Sequence, residues 1–86
     1  MITIELFGVP RLRAGIGCVR LDASSLASAL SALVRICPAL DGPVLAGGRV
    51  HPAYRVYLNG DRFVSDPETP LAEGDVLLLL AADVGG

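Results

Sequence analysis

Gly74-Asp75-Val76-Leu77-Leu78-Leu79-Leu80-Ala81 reads as a strand launched from a tight turn, and Ala82-Asp83-Val84-Gly85-Gly86 follows it. Successive side chains of a strand point to opposite faces, so a strand with one wet face alternates apolar with polar residues. Val76 to Leu80 is apolar on both sides. Each face of the sheet around it therefore needs a cover, or exposes a surface that a partner can take.

Working outward, Met1-Ile2-Thr3-Ile4-Glu5-Leu6 alternates as a strand, with Ile2, Ile4 and Leu6 on one side and Thr3, Glu5 and Phe7 on the other. Gly8-Val9-Pro10 breaks it. A second strand fits Ile16 to Leu21. Ser24 and Ser25 offer a hydroxyl to a helix start, and Leu26, Ala29, Leu30, Leu33, Val34 and Cys37 follow at helical spacing until Pro38 stops the helix. Ala39 to Pro52 carries Gly42, Pro43, Gly47 and Gly48 without clear periodicity, and reads as an irregular, mobile connection. Tyr54 to Leu58 is strand-like, Asn59-Gly60 suits the positive φ of a tight hairpin, and Arg62-Phe63-Val64 runs back. Pro67, Pro70 and Gly74 interrupt the chain before the last strand, Val76 to Ala81.

Two strands, a helix and three more strands in a short chain fit a two-layer α+β domain, a mixed sheet of four to five strands packed on one helix. That is the order of the β-grasp, or ubiquitin-like, fold. Residues 1–86 are expected to form one such domain with a flexible tail over residues 81–86. In this arrangement the first and last strands pair in mid-sheet, and one helix covers one face only. The apolar second side of the last strand is then either capped by a loop or left as a docking patch, and the patch is the favoured reading.

Composition narrows the function. With 86 residues, 52% hydrophobic and 19% charged, the chain has apolar side chains for one core and little room for a deep enzyme cleft. A net charge of −2, with seven arginines scattered from Arg11 to Arg62, gives no basic field for nucleic acid. The N-terminal stretch lacks the positive flank and apolar run of a signal peptide, and no segment approaches the roughly 20 apolar residues of a membrane span. A cytoplasmic protein is expected. Cys18 and Cys37 form no Cys-x-x-Cys pair, so no metal site is encoded, and both are expected as small buried hydrophobes. His51, the single histidine, sits among glycines and a proline and reads as a loop residue.

The Gly85-Gly86 ending points to chemistry at the C-terminal carboxylate as an expectation. Two glycines in succession make a slim thread that can enter a narrow tunnel and present an unhindered carbonyl to another protein's active site. The chain also contains no lysine, so it cannot receive further copies of itself on an ε-amine.

The motifs resemble those of the MoaD/ThiS-type ubiquitin-like sulfur carriers, in the MoaD-like branch. Leu6-Phe7-Gly8-Val9-Pro10-Arg11-Leu12-Arg13-Ala14-Gly15 is similar to the family's opening segment, and Pro38-Ala39-Leu40 to its Pro-x-Leu after the helix. Val56-Tyr57-Leu58-Asn59-Gly60-Asp61, Leu71-Ala72-Glu73-Gly74-Asp75 and Gly85-Gly86 follow in the family's order. The resemblance implies a carrier, not a catalyst, with no bound cofactor and no metal. Its Gly86 carboxylate would be adenylated by an E1-like enzyme (MoeB/ThiF-like) using ATP. A sulfur donor such as a rhodanese or a cysteine desulfurase would then convert the acyl-adenylate to a thiocarboxylate. Gly85 would keep the thread slim, and Phe7, Arg11, Leu80 and Val84 would meet partners. Leu80 stands where relatives often carry an aromatic. Where relatives approach the glycines through prolines this chain has Ala81-Ala82-Asp83, a looser and charged approach.

Two uses of the sulfur stay open: the small subunit of molybdopterin synthase, bound to a MoaE-like large subunit, or a carrier for thiamine, cysteine or specialised-metabolite biosynthesis. A protein modifier joined through Gly86 and a plain β-grasp interaction domain are the readings from other classes.

Overall fold

The computed structural model describes residues 1–82. Seven strands and two α-helices follow in the order β1 (Ile2–Leu6), α1 (Val9–Ala14), β2 (Cys18–Leu21), α2 (Leu26–Ile36), β3 (Leu45–Ala46), β4 (Arg49–Val50), β5 (Tyr54–Leu58), β6 (Arg62–Val64) and β7 (Val76–Ala81), with a 3-10 turn at Pro38–Leu40. Five strands form one sheet in the order β2-β1-β7-β5-β6. The pairing of β1 with β7 is parallel, and the other three pairings are antiparallel. This is the β-grasp sheet, and the strand with two apolar sides, β7, is at its centre.

Alternation divides the sheet cleanly. Ile2, Ile4 and Leu6 of β1, Val56 and Leu58 of β5, Val64 of β6 and Leu77 and Leu79 of β7 point inward and are buried. Leu26, Ala29, Leu30 and Leu33 of α2, spaced at one helical face, close over them. Burying a Leu or Ile side chain contributes about 1.5–3 kcal/mol, so this interlayer is the main source of stability.

The start of α2 leaves no orphan donor in its first turn. Ser25 Oγ accepts from the Ser28 N–H at 3.2 Å, and Ser28 Oγ accepts from the Ser25 N–H at 3.1 Å, a reciprocal capping box. The N–H groups of Leu26 and Ala27 donate to the carbonyls of Thr69 and Pro67, each at 2.9 Å. The segment from Pro67 to Pro70 is thereby fastened to the helix, and Thr69, buried, closes it with a 2.7 Å hydrogen bond to the Asp66 carbonyl.

The structure departs from the sequence expectations in four places. Gly8-Val9-Pro10 ends β1 but also opens α1, because proline is compatible with a helix's first turn, where its missing N–H is not needed. The second strand begins at Cys18, not Ile16; Gly17, with the Arg11 guanidinium packed beside it, comes just before, its carbonyl accepting from the Leu6 N–H at 2.9 Å. The stretch from Ala39 to Pro52 is not an irregular connection. Gly47 and Gly48, at φ 58° and 77°, turn β3 back on β4, and Leu40, Val44 and Leu45 are fully buried. Finally, Cys37 is buried, which pushes its thiol pKa up, but Cys18 is exposed. It lies opposite Glu5 on an edge strand, on the face that α2 does not cover.

Candidate docking face and tail root

The outer face of the sheet is built by the same alternation that builds the core. On β7 the residues between the buried leucines are Val76, Leu78 and Leu80, all partly exposed. The register sets Tyr57 of β5 and Glu5 of β1 on either side of Leu78, and Arg55 of β5 beside Leu80. Phe7 continues β1, its N–H donating to the Leu79 carbonyl at 3.0 Å, and so comes alongside Leu80. Phe63, opposite Tyr57 on β6, meets that ring edge-on at 6.0 Å between centroids. The Arg55 guanidinium carbon stands 5.7 Å from the centre of the Phe63 ring, a cation–π contact.

Phe63 is 52% and Phe7 42% exposed, so the face is an open apolar stripe from Phe7 through Leu80, Leu78 and Tyr57 to Phe63. Among the described residues no loop caps this face. Patches of this kind are more typical of partner surfaces than of monomer exteriors.

The stripe runs beside the place where the tail departs. The Ala82 N–H donates to the Ala53 carbonyl at 2.8 Å, holding the residue after β7 against the turn before β5. That turn is itself cross-tied. His51 Nδ1 accepts from the Ala53 N–H at 3.0 Å, the His51 carbonyl accepts from the Tyr54 N–H at 2.9 Å, and Arg55 Nη1 donates to the Pro52 and Tyr54 carbonyls at 3.0 and 3.1 Å. A shallow apolar hollow lined by Val9, Ala53, Tyr54, Ala81 and Ala82 surrounds this tail root.

Of the residues singled out from sequence, Phe7 and Leu80 are brought together on the outer face. Arg11 is exposed on α1 with its guanidinium over Gly17, where an added Cβ would approach it to 3.1 Å. Val84, Gly85 and Gly86 lie outside the described residues. Sequence reasoning missed Leu78, Tyr57, Phe63 and Arg55. The signal was present: an Asn59-Gly60 turn fixes the hairpin register, and that register sets Tyr57 opposite Phe63. Among the described residues no group of histidine, cysteine or carboxylate side chains is clustered to hold a metal, and no helix is long and apolar enough to cross a membrane.

No protein-family model matches this chain, and no curated protein matches it. Solved structures do. SAMP1 from Haloferax volcanii, a small archaeal modifier protein, is 30% identical over 99% of this chain and 98% of its own, with a TM-score of 0.84. The chain belongs to the MoaD/ThiS-type family of ubiquitin-like sulfur carriers. CysO in the Amycolatopsis orientalis BexX/CysO complex superposes with a TM-score of 0.82 at 20% identity, covering 100% of both chains. A putative molybdopterin converting factor subunit 1 from Pyrococcus furiosus gives 0.73 at 19% identity, over 93% of this chain and 94% of that one. At such identities these two speak for the family's fold alone.

Proposed function

We propose that this protein is a cytoplasmic sulfur carrier that is activated at the Gly86 carboxylate by an E1-like enzyme and is not itself a catalyst. The observation that carries the reading is the open apolar stripe ending at Leu80 and Phe7, beside the point where β7 runs into the tail. A carrier needs a docking surface near its reactive end, and the central strand carries the stripe up to Ala81, where the described chain leads toward the tail.

The chemistry follows from carboxylate reactivity. A carboxylate resists attack because it is anionic and its leaving group is poor. In the proposed sequence the Gly86 carboxylate oxygen attacks the α-phosphorus of the partner's ATP and pyrophosphate departs. The terminal sulfur of a persulfide donor then attacks the acyl carbon and AMP leaves, and a second thiol attacks the donor sulfur of the resulting acyl disulfide, releasing the thiocarboxylate and leaving the donor in a disulfide with that thiol. Gly85 contributes slimness at the partner's tunnel, with Phe7, Leu80, Arg11 and Val84 as partner contacts. The acceptor is a MoaE-like subunit in the molybdopterin case, or the acceptor of another sulfur pathway.

A second reading, protein modification through Gly86, is favoured by the likeness to a small archaeal modifier protein. Without lysine, such a modifier cannot build Lys-linked chains of itself, while the lysines of other proteins remain open to it. Intact mass after coexpression with an E1-like enzyme and a sulfur donor tests the first reading: replacement of one oxygen by sulfur supports it, and an unchanged mass with an enzyme active on another carrier overturns it. Gly-Gly remnants on lysines of other proteins would establish the second.

A further inference from the structure

The sheet ends at β6, which pairs only with β5, and β6 is shorter than its partner: its last pair is Val64 with Val56, while β5 extends back to Tyr54. A notch of about 210 Å³ opens there, between α2, β4 and the sheet edge. Its floor is aliphatic, formed by Leu26 and Leu30 of α2 with Val50, Val56 and Val64. Arg49, Arg55, Phe63 and Ser65 also line it, Arg55 and Phe63 at its junction with the outer face, and no aspartate or glutamate does. Neither arginine has a carboxylate partner among the described residues, where the only ion pairs are those of the Met1 ammonium with Asp22 and Glu73. The neighbouring hollow along β6 and the segment after it is lined by Asp66 and Glu68 together with Arg62.

We propose that this notch is a second docking site, adjoining the Phe63 end of the outer face, for an extended acidic segment of a partner protein that carries a branched aliphatic side chain. Three features select that occupant. An edge strand offers unpaired backbone groups to an extended chain lying beside it. The aliphatic floor accepts a valine- or leucine-sized side chain. Two guanidiniums with no carboxylate partner among the described residues, on a net-negative protein, select carboxylates, and Arg55 is already oriented by its bonds to the Pro52 and Tyr54 carbonyls. Because Arg55 also sits over Phe63, an occupant of the notch touches the residue that borders the docking stripe.

The test is an NMR titration of the intact, 15N-labelled protein with a capped octapeptide in which valine and glutamate alternate. Shifts concentrated at the amides of Val50, Arg55, Val64 and Ser65 are expected, and Arg49→Glu should weaken the binding by about tenfold or more with an unchanged melting temperature. The site needs no activation of Gly86, so the result stands whatever becomes of the sulfur-carrier reading. Absence of those shifts at millimolar peptide would overturn the proposal. So would equal shifts from a peptide alternating valine with lysine. If isovalerate alone reproduces the pattern and the peptide does not, the notch takes a small carboxylate and the peptide assignment falls.

Discussion

Asn59 and Asp75 lock the β5–β6 turn to the start of β7: Asn59 Nδ2 donates to Asp75 Oδ1 at 3.2 Å, while Asn59 Oδ1 accepts from the Val76 N–H at 2.9 Å and the Asn59 N–H donates to the Val76 carbonyl at 2.7 Å. Asp75 Oδ2 accepts from the Ala72 N–H at 2.8 Å, closing the turn that launches β7. The two motifs, Asn-Gly and Gly-Asp, are parts of a single clamp. Asn59 also tolerates its φ of 55°, where a residue without a short polar side chain is strained. Asn59→Ala should therefore destabilise the fold by about 1–2 kcal/mol, measured by urea denaturation.

The same clamp gives a pH dependence. The Ala72 N–H first, and the Asn59 amide second, hold the Asp75 carboxyl below its ordinary value of 3.8. A carboxyl depressed in the folded state stabilises at pH above its unfolded value, and that contribution is lost as pH falls through the folded one. Between about pH 5 and pH 2 the protein should lose stability more steeply than its Asp75→Asn variant, which starts lower and stays flatter. Parallel slopes in pH-dependent denaturation would exclude this assignment.

The docking stripe predicts a separation of stability from activation. Leu80→Glu places a charge on the outer face beside Phe7 and leaves the core untouched. Pyrophosphate release by the cognate activating enzyme should drop by about tenfold or more, with folding stability changed by only about 0.5–1 kcal/mol. Unaltered activation would remove Leu80 from the partner surface.

Its inward neighbour should behave in the opposite way. Leu79 is 1% exposed between the sheet and α2, and Leu79→Ala should cost about 2–5 kcal/mol through lost burial and the cavity left behind. Thermal denaturation of the two variants side by side tests the alternation of β7 directly.

Much of this arrangement was legible from local chemistry. Ser25 ahead of a helical apolar stripe, the alternation of β1, and Asn59-Gly60 each have one low-energy solution, and the structure adopts it. What sequence left obscure depends on contacts made at a distance. Pro10 looks like a breaker until the chain around it is seen to need one helical turn. Gly47-Gly48 looks like loop composition until Val44 and Leu45, beside it, are seen to fill the core. Cys18 is hydrophobic by habit, yet its register opposite Glu5 turns it to the open face. The partner surface was half visible: Leu80 and Phe7 could be named by resemblance, while Tyr57, Phe63 and Arg55 needed the strand order.

The parallel pairing of β1 with β7 also has a mechanical meaning. Tension applied between the start of β1 and the end of β7 pulls these neighbouring strands in opposite directions along their length, so the hydrogen bonds between them share the load in shear and do not unzip one at a time. A partner that draws on the tail pulls on the best-braced strand of the molecule, and the body is built to be towed by its end without coming apart.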